Sequence, residues 1–429
     1  MAGKVERLRH LISANQSLAE IESLPVLLDR LLELAQEVTS AEAASVLLWE
    51  ADRNLLSFAH ARNSVLGEAA SELLRRNITL RLGEGVAGWV AQERTSLIVR
   101  EAHADDRFSG TADRSTGFVT RCLLCVPVLY GEELLGVLQV LNSTDKACFD
   151  ATDQELLESF ANLAAVAMVR SRLLEVRLAQ QRLHTQMETA ARIQTHFWPC
   201  LPDPGHGSHL WAVSQPAAFV GGDLYDCIPL PDGSLLLYVA DVSGKGLPAA
   251  LVMAALWSRI RAESQAHGSV GALLAAVNDA LTHLLDGDMF ATAILGRYTP
   301  ADGRLSFAAA GHMPPLWLRS NELLDPPATR GMPLGIVAGL SYEATEITLA
   351  PGDSVLFYTD GVTEARRPDG CFLEDAGVKE VLAGVETRPC GPGLADAVTA
   401  WQCGVASDDM TILEIWRDPD GGGRLEEKP

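Results

Sequence analysis

The sequence has no run of about 18 consecutive apolar residues, so no membrane-spanning helix is expected. Positive charge is scarce. There are 34 Lys and Arg against 56 Asp and Glu, for a net charge of −22. So acidic a chain is poorly suited to the phosphate backbone of nucleic acids or to an anionic membrane. Aromatic residues are also few, at 6%. The eight cysteines, at 122, 125, 148, 200, 227, 371, 390 and 403, are too sparse in 429 residues for a small disulfide scaffold. Cys122 and Cys125 form a lone C-x-x-C inside a strand-like run. On a strand, i and i+3 face opposite sides, so core cysteines are expected. The start, Met1-Ala-Gly-Lys-Val-Glu-Arg, lacks the apolar centre of a signal peptide, and the expected location is cytoplasmic.

The length and a hydrophobic content of 48% indicate two or three globular domains. The charge is uneven: net −8 over residues 1–170, +2 over 171–199 and −16 over 200–429. Residues 4–38 carry apolar side chains at helical spacing, first Val5, Leu8, Leu11 and Ile12, then Leu27 to Val38 after Pro25. Strands are expected over 44–49, 55–61, 96–99, 123–129 and 134–141, with a glycine-punctuated helix start at Leu82-Gly-Glu-Gly-Val-Ala-Gly-Trp-Val and a loop over 105–117. That glycine-rich turn, the Val126-Pro-Val hairpin and Gly136-Val-Leu-Gln-Val-Leu-Asn142 resemble a GAF sensory domain over about 25–168. Such domains often hold a small ligand, which the sequence does not name. Asn142, Phe149 and Asp153 match part of a cyclic-nucleotide signature, but Ser143 and Gln154 replace its Lys and Glu. The plainer reading has Asn142 closing a turn and Asp153 capping a helix.

From Asp153 a helical pattern runs unbroken to about Phe197. A heptad register places Val166, Leu173, Gln180, Met187 and Gln194 at a, and Val169, Val176, Leu183, Ala190 and Phe197 at d. A seam this regular predicts a parallel two-stranded coiled coil, hence a homodimer.

Beyond residue 209 the pattern turns to strands, over 210–214, 235–242, 291–298, 305–310, 316–319, 342–349, 354–359 and 410–416. Helices are expected over 248–267, 270–285, 376–384 and 394–403. Four acidic clusters fall at strand ends or tight turns: Gly221-Gly-Asp223-Leu-Tyr-Asp226, Asp241-Val-Ser-Gly-Lys-Gly246, Asp360-Gly-Val-Thr-Glu364 and Ser407-Asp408-Asp409. A single Asp in such a place is usually a turn residue or cap. Four clusters together point to carboxylates gathered around hard divalent cations.

With Ala191-Arg-Ile-Gln194, Phe197-Trp-Pro, Ala240-Asp-Val-Ser-Gly-Lys-Gly-Leu-Pro, Met289-Phe-Ala-Thr, Ala310-Gly-His-Met-Pro-Pro, Pro333-Leu-Gly-Ile, Pro351-Gly-Asp, Tyr358-Thr-Asp-Gly-Val-Thr-Glu and Asp408-Asp-Met-Thr, this set resembles the SpoIIE/RsbU-like bacterial branch of the metal-dependent protein phosphatases (PPM). The likeness covers about 185–416. It implies an α-β-β-α sandwich following the GAF α/β domain, and serine/threonine phosphatase activity with two Mn2+ or Mg2+ ions. Asp223, Asp241, the Val242 carbonyl, Asp360 and Asp408 are the implied ligands, with Asp241 bridging and Asp409 a weaker candidate. Asp223, Asp241, Asp360 and Asp408 are also the implied catalytic set. No other cofactor is implied. Lys245 stands where His is frequent, and no Arg in the first strand matches the phosphate-holding Arg of eukaryotic members.

The implied substrate is a phosphorylated anti-sigma-factor antagonist of STAS fold or a similar partner-switching protein. The expected organisation is a helix over 1–24, the GAF sensor over 25–168, a coiled-coil linker over 169–199, the phosphatase over 200–418 and a disordered tail over 419–429. Two alternatives remain. A pseudophosphatase scaffold would keep the fold without turnover. A diguanylate cyclase is suggested by Gly221-Gly222-Asp223 alone, but Leu224-Tyr225 replaces the Glu-Phe of that signature. No Cys opens a C-x5-R loop, and Ser243-Gly-Lys-Gly is not a P-loop. His312 is expected to be a packing residue near the central sheet, with a role in the site as the alternative.

Overall fold

The computed structural model describes residues 23–63, 74, 78–285, 288–319, 322–327, 331–385, 388–404 and 406–419. The helical stretch expected before residue 23 and the tail beyond 419 lie outside them. The chain divides into two units, Met1–Arg182 and Leu183–Pro429. Among the described residues no helix is long and apolar enough to cross a membrane.

In the first unit, α1 (Leu24–Thr39) starts with Pro in its first turn, where the missing N–H costs nothing. It buries Leu27, Leu28, Leu31, Leu32 and Ala35 along one stripe. Six strands, β1 (Ala41–Glu50), β2 (Leu55–Asn63), β3 (Thr79–Leu80), β4 (Leu97–Val99), β5 (Leu123–Tyr130) and β6 (Glu133–Ser143), form one antiparallel sheet in the order β3-β2-β1-β6-β5-β4. One face packs on α1 and on the start of the long helix α4 (Ala151–Gln194). The other covers α2 (Gly85–Glu93). Cys122 belongs to the first core and Cys125 to the second, as strand alternation requires. The stretch 105–117 contains a short helix, α3 (Thr111–Thr116), held by the Asp113 carboxylate accepting from Thr120 N and Oγ1.

The residues of the partial cyclic-nucleotide signature have structural partners. Asn142 is buried with φ 55°; its amide oxygen accepts from Arg121 N and Cys122 N, and its NH2 donates to Val119 O. Phe149 is core. The capping arrangement at α4 is reciprocal and centred one turn earlier than Asp153. Asp150 accepts from Thr152 N and Asp153 N, and Asp153 accepts back from Asp150 N.

α4 buries Leu157, Phe160, Ala161, Ala164, Ala165 and Met168 against the first unit. After Ser171 it presents Leu173, Val176, Leu178 and Leu183 to solvent, each about half or more exposed. Regular helix ends at Gln194, and Thr195–Phe197 is a 3-10 turn.

The second unit is two five-stranded antiparallel sheets. One runs in the order β14 (Thr345–Thr348), β11 (Arg304–Ala310), β10 (Ala291–Thr299), β9 (Leu235–Val242), β8 (Leu224–Pro229). The other is β13 (Glu322–Leu324), β12 (Leu316–Arg319), β15 (Ser354–Tyr358), β16 (Met410–Arg417), β7 (Ser208–Gln215). Val239, Ile294, Phe307, Phe357 and Leu413 fill the space between them. Each fully buried side chain of this size contributes roughly 1.5–3 kcal/mol. Helices α5 (Leu247–Glu263) and α6 (Val270–Leu284) cover the outer face of the first sheet. Helices α7 (Glu374–Ala383) and α8 (Gly391–Trp401) cover that of the second. The layering is α-β-β-α.

In the second unit, three elements differ from the sequence expectation. β8 was not anticipated, because its sequence is interrupted by Asp226. That carboxylate is buried and satisfied by Arg261 at 2.7 and 2.9 Å and by the Tyr238 hydroxyl at 3.2 Å. β13 is a three-residue edge strand, too short to carry a pattern. The strand expected over 342–349 is reduced to β14, because Tyr342 turns into the core under α6.

Candidate functional site

Four strand ends build the site. β8 begins directly after Asp223 and pairs antiparallel with β9, with Leu224 opposite Ala240, so Asp223 and Asp241 lie side by side. β15 ends at Tyr358, two residues before Asp360, and β16 begins at Met410, directly after Asp408 and Asp409. The two sheets thus deliver their carboxylates to one place.

The electrostatics record the crowding. Burial, then the Asp241 charge, pushes Asp223 well above the usual carboxylate range. Asp241 is pushed up to about 7 by burial, then by Asp360, Asp408 and Asp409; a hydrogen bond with Asp223 acts the other way. Asp360 is raised by burial, then by Glu364 and Asp408.

Each carboxylate has a distinct local role. Thr359 Oγ1 donates to Asp223 Oδ2 at 2.6 Å, and Thr411 N donates to Thr359 Oγ1 at 2.9 Å, so the hydroxyl's orientation is fixed. Asp408 pairs with Lys245 Nζ at 3.0 Å, and the same ammonium donates to Ser407 O at 2.9 Å. Asp409 ties down the preceding loop, accepting from Ala217 N and Gly222 N, both at 2.7 Å. A Cβ at Gly221 would lie 2.5 Å from Asp409 Oδ2, and one at Gly222 would lie 2.8 Å from the Val242 carbonyl. This close approach is why the loop reads Gly-Gly-Asp.

Asp223, Asp241, Asp360 and Asp408 therefore share one site. Asp409 adjoins them with both oxygens committed to backbone amides, and Asp226 is held apart by Arg261. Among the described residues no group of three or more His, Cys, Asp or Glu side chains has the spacing to hold a metal ion as it stands. The donor set is nevertheless all hard oxygen, and its mutual repulsion is of the kind a divalent cation relieves. Such ions fit it.

The sequence reading assigned no role to Thr359 or Thr292 and expected His312 to pack near the central sheet, with a role in the site as the alternative. His312 Nδ1 lies 2.8 Å from Thr292 Oγ1 and Nε2 lies 2.9 Å from Tyr358 O. Burial pushes its pKa down to about 4. The available signal was a polar residue next to each ligand strand end. In the linker, Gln194 and Phe197, placed in the heptad seam, are engaged within the second unit. Gln194 is buried against Gly221, and Phe197 meets the Trp257 ring edge-on at 4.9 Å.

Comparison with known proteins agrees with the two units. Residues 23–168 match the GAF domain and residues 231–418 match Stage II sporulation protein E (SpoIIE). The chain is 27% identical over 246 residues to the phosphoserine phosphatase RsbU of Bacillus subtilis (strain 168), covering 56% of this chain and 72% of that one. It is 27% identical over 179 residues to the probable 3',5'-cyclic phosphodiesterase pde-5 of Caenorhabditis elegans, covering 40% of this chain and only 24% of that one. The SiaA-PP2C domain of Pseudomonas aeruginosa superposes with a TM-score of 0.48 at 23% identity, over 56% of this chain and 98% of that one. The chain thus carries a GAF domain over residues 23–168 followed by a SpoIIE-type domain over residues 231–418.

Proposed function

We propose that this protein is a divalent-metal-dependent phosphatase that hydrolyses phosphoserine or phosphothreonine on a partner protein under control of its GAF domain. The observation that carries the reading is the meeting of Asp223, Asp241, Asp360 and Asp408 at neighbouring strand ends of two packed sheets. These four would hold two Mn2+ or Mg2+ ions, with Asp241 between them and the Val242 carbonyl contributing. Asp409 would hold the loop rather than an ion. Such a pair of ions, when bound, makes hydroxide available near neutral pH and offsets charge on phosphoryl oxygens.

The chain's own part is to fix the ligands. Thr359 orients Asp223, and the Gly221-Gly222 turn lets the backbone approach Asp409 and Val242. β7 contains no Arg; Lys245, the ammonium beside Asp408, would be available to meet a substrate phosphoryl group.

The similarity to RsbU supports phosphoserine as the substrate chemistry. The family likeness suggests a phosphorylated STAS-type anti-sigma-factor antagonist. Leu173, Val176 and Leu183, exposed along α4, support a homodimer closed through residues 169–199 and the GAF domain. The working boundaries are 25–168 for the sensor and 200–418 for the phosphatase. The net charge of −22 favours a protein partner over nucleic acid or a membrane surface, in the cytoplasm.

The test is Mn2+-dependent phosphate release from p-nitrophenyl phosphate and a phosphoserine peptide. Activity should fall at least about 100-fold in Asp241→Asn, with circular dichroism unchanged, because a ligand to both ions is lost. Near-wild-type turnover in that variant would overturn the assignment. Mn2+ binding by the wild type without turnover of either substrate would leave a binding scaffold.

A further inference from the structure

We propose that His312 is a positioning residue for the metal site, a staple that holds the two ligand-bearing sheets in register. The inference rests on the reading that Asp223, Asp241 and Asp360 hold the ions. It adds the device that sets their separation.

The geometry begins at Gly311, which has φ 67° and bridges Ala293 of β10. That turn carries His312 from the end of β11 to a place between the two sheets. On one side is Thr292 of β10, the residue directly across from Asp241 in the β9–β10 ladder. On the other is the carbonyl of Tyr358, the last residue of β15. A carbonyl can only accept, so Nε2 carries the proton. Burial keeps the ring neutral, so Nδ1 is a bare acceptor and the Thr292 hydroxyl donates to it.

The imidazole thereby fixes one tautomer and joins two elements from different sheets. The Tyr358 carbonyl shares its peptide plane with Thr359 N, which donates to Thr411 O at 3.0 Å. The Thr359 hydroxyl holds Asp223. A continuous path therefore runs from the partner of Asp241, through His312, to the residue that orients Asp223 and precedes Asp360. Among the described residues, no other side-chain hydrogen bond links β10 to β15; the Thr359–Asp223 and Lys245–Asp408 contacts join the sheets at other strand ends. Loss of the depressed-pKa imidazole would leave the Tyr358 carbonyl and the Thr292 hydroxyl without these bonds. At the site the sheets would then be joined by Thr359–Asp223, Lys245–Asp408 and Gly222–Asp409, with no bond left between β10 and β15.

The test uses the full chain, with free Mn2+ followed by electron paramagnetic resonance and turnover of p-nitrophenyl phosphate. His312→Ala should weaken Mn2+ binding by about tenfold, in the range seen when groups that orient metal ligands are lost, and lower kcat at saturating Mn2+ with KM unchanged. Thr292→Val, which removes one hydroxyl and little else, should show a smaller loss of the same kind. His312→Gln, able to donate to the Tyr358 carbonyl, should recover part of the Mn2+ affinity.

Wild-type Mn2+ affinity and kcat in Thr292→Val and in folded His312→Ala would overturn the proposal, even if thermal stability falls. If His312→Ala does not fold, Thr292→Val and His312→Gln decide. Asp241→Asn serves as the control. If it too binds Mn2+ normally, the site reading fails and this inference with it. If it loses Mn2+ while the His312 and Thr292 variants keep it, only this inference fails.

Discussion

Gln194, the last residue of α4, is clamped to Gly221. Its Nε2 donates to Gly221 O at 2.7 Å, and its Oε1 accepts from Gly221 N at 3.0 Å. Both bonds are buried, and Gly221 lies two residues before Asp223. The end of the linker helix thus reaches the backbone of the loop that presents a proposed metal ligand.

Gln194→Met keeps the length of the side chain and removes both bonds. A buried N–H and C=O then lose their partner, at about 1–3 kcal/mol each. The expected result is a lower melting temperature together with weaker Mn2+ binding, because Asp223 is no longer anchored through its loop. A calorimetric titration with Mn2+ checks it. Unchanged affinity would show that the loop is set by Asp409 alone.

The Asp241 carboxyl, raised to about 7, predicts a pH dependence. Its folded pKa exceeds the ordinary Asp value of about 4, so the folded state binds the proton more tightly than the unfolded state does. That stabilisation is complete below about 4 and is lost as pH rises through about 7. Without divalent cation, stability should therefore fall over this window. A cation must displace the proton, so Mn2+ affinity should decline as pH drops below 7, and Mn2+ should raise the melting temperature more at pH 8 than at pH 6. Thermal scans with and without Mn2+ at the two pH values measure this. An equal shift at both would mean that no ligand titrates there.

The fold was legible where one face of an element is buried. β9 and β12 fall at the expected residues because alternation or a short apolar run bounded by turn signals marks them. β8 was hidden because Asp226 looks like a site carboxylate. Only the fold reveals Arg261 and Tyr238 as its partners, across 35 and 12 residues of sequence. The carboxylates were legible as a set because strand ends and glycines concentrate them. Their supports were not. Thr292, Thr359 and His312 act through hydrogen bonds between segments far apart in the chain, and such pairings leave no periodic trace. Gln194 fitted the heptad by spacing, yet burial assigns it to Gly221.

The exposed stripe on α4 leads to a test of assembly. Leu173 and Leu183 present most of their surface to water. In a parallel dimer they would meet their counterparts, and Leu173→Asp with Leu183→Asp would bury unpaired like charges at a cost of several kcal/mol. Sedimentation should show the wild type as a dimer and the double variant dissociating at micromolar concentration. An unchanged dimer would place the interface elsewhere, and an unchanged monomer would leave the stripe without a partner copy.

If the same helix carries the GAF signal to the site, its phase matters as much as its length. α4 is continuous from Ala151 to Gln194, and Gln194 is locked to Gly221. Inserting four residues after Gln181 adds one turn and rotates everything downstream by roughly 40° relative to everything upstream. The insertion lies in an exposed part of the helix, so each unit keeps its own core. The seam, however, can no longer be in register on both sides of residue 181. Either the upstream half sets the pairing and Gln194 is turned relative to it, or the downstream half does and the GAF end is turned. Both outcomes change how the Gly221–Asp223 loop is held when the upstream domain changes state. The expected readout is an altered apparent Mn2+ affinity, or a phosphatase rate no longer affected by truncation of residues 1–168, with unchanged circular dichroism. A seven-residue insertion, which nearly restores the heptad phase, should behave closer to the wild type. An insertion of four with wild-type Mn2+ dependence and a wild-type response to truncation would defeat the idea that helix phase transmits the signal.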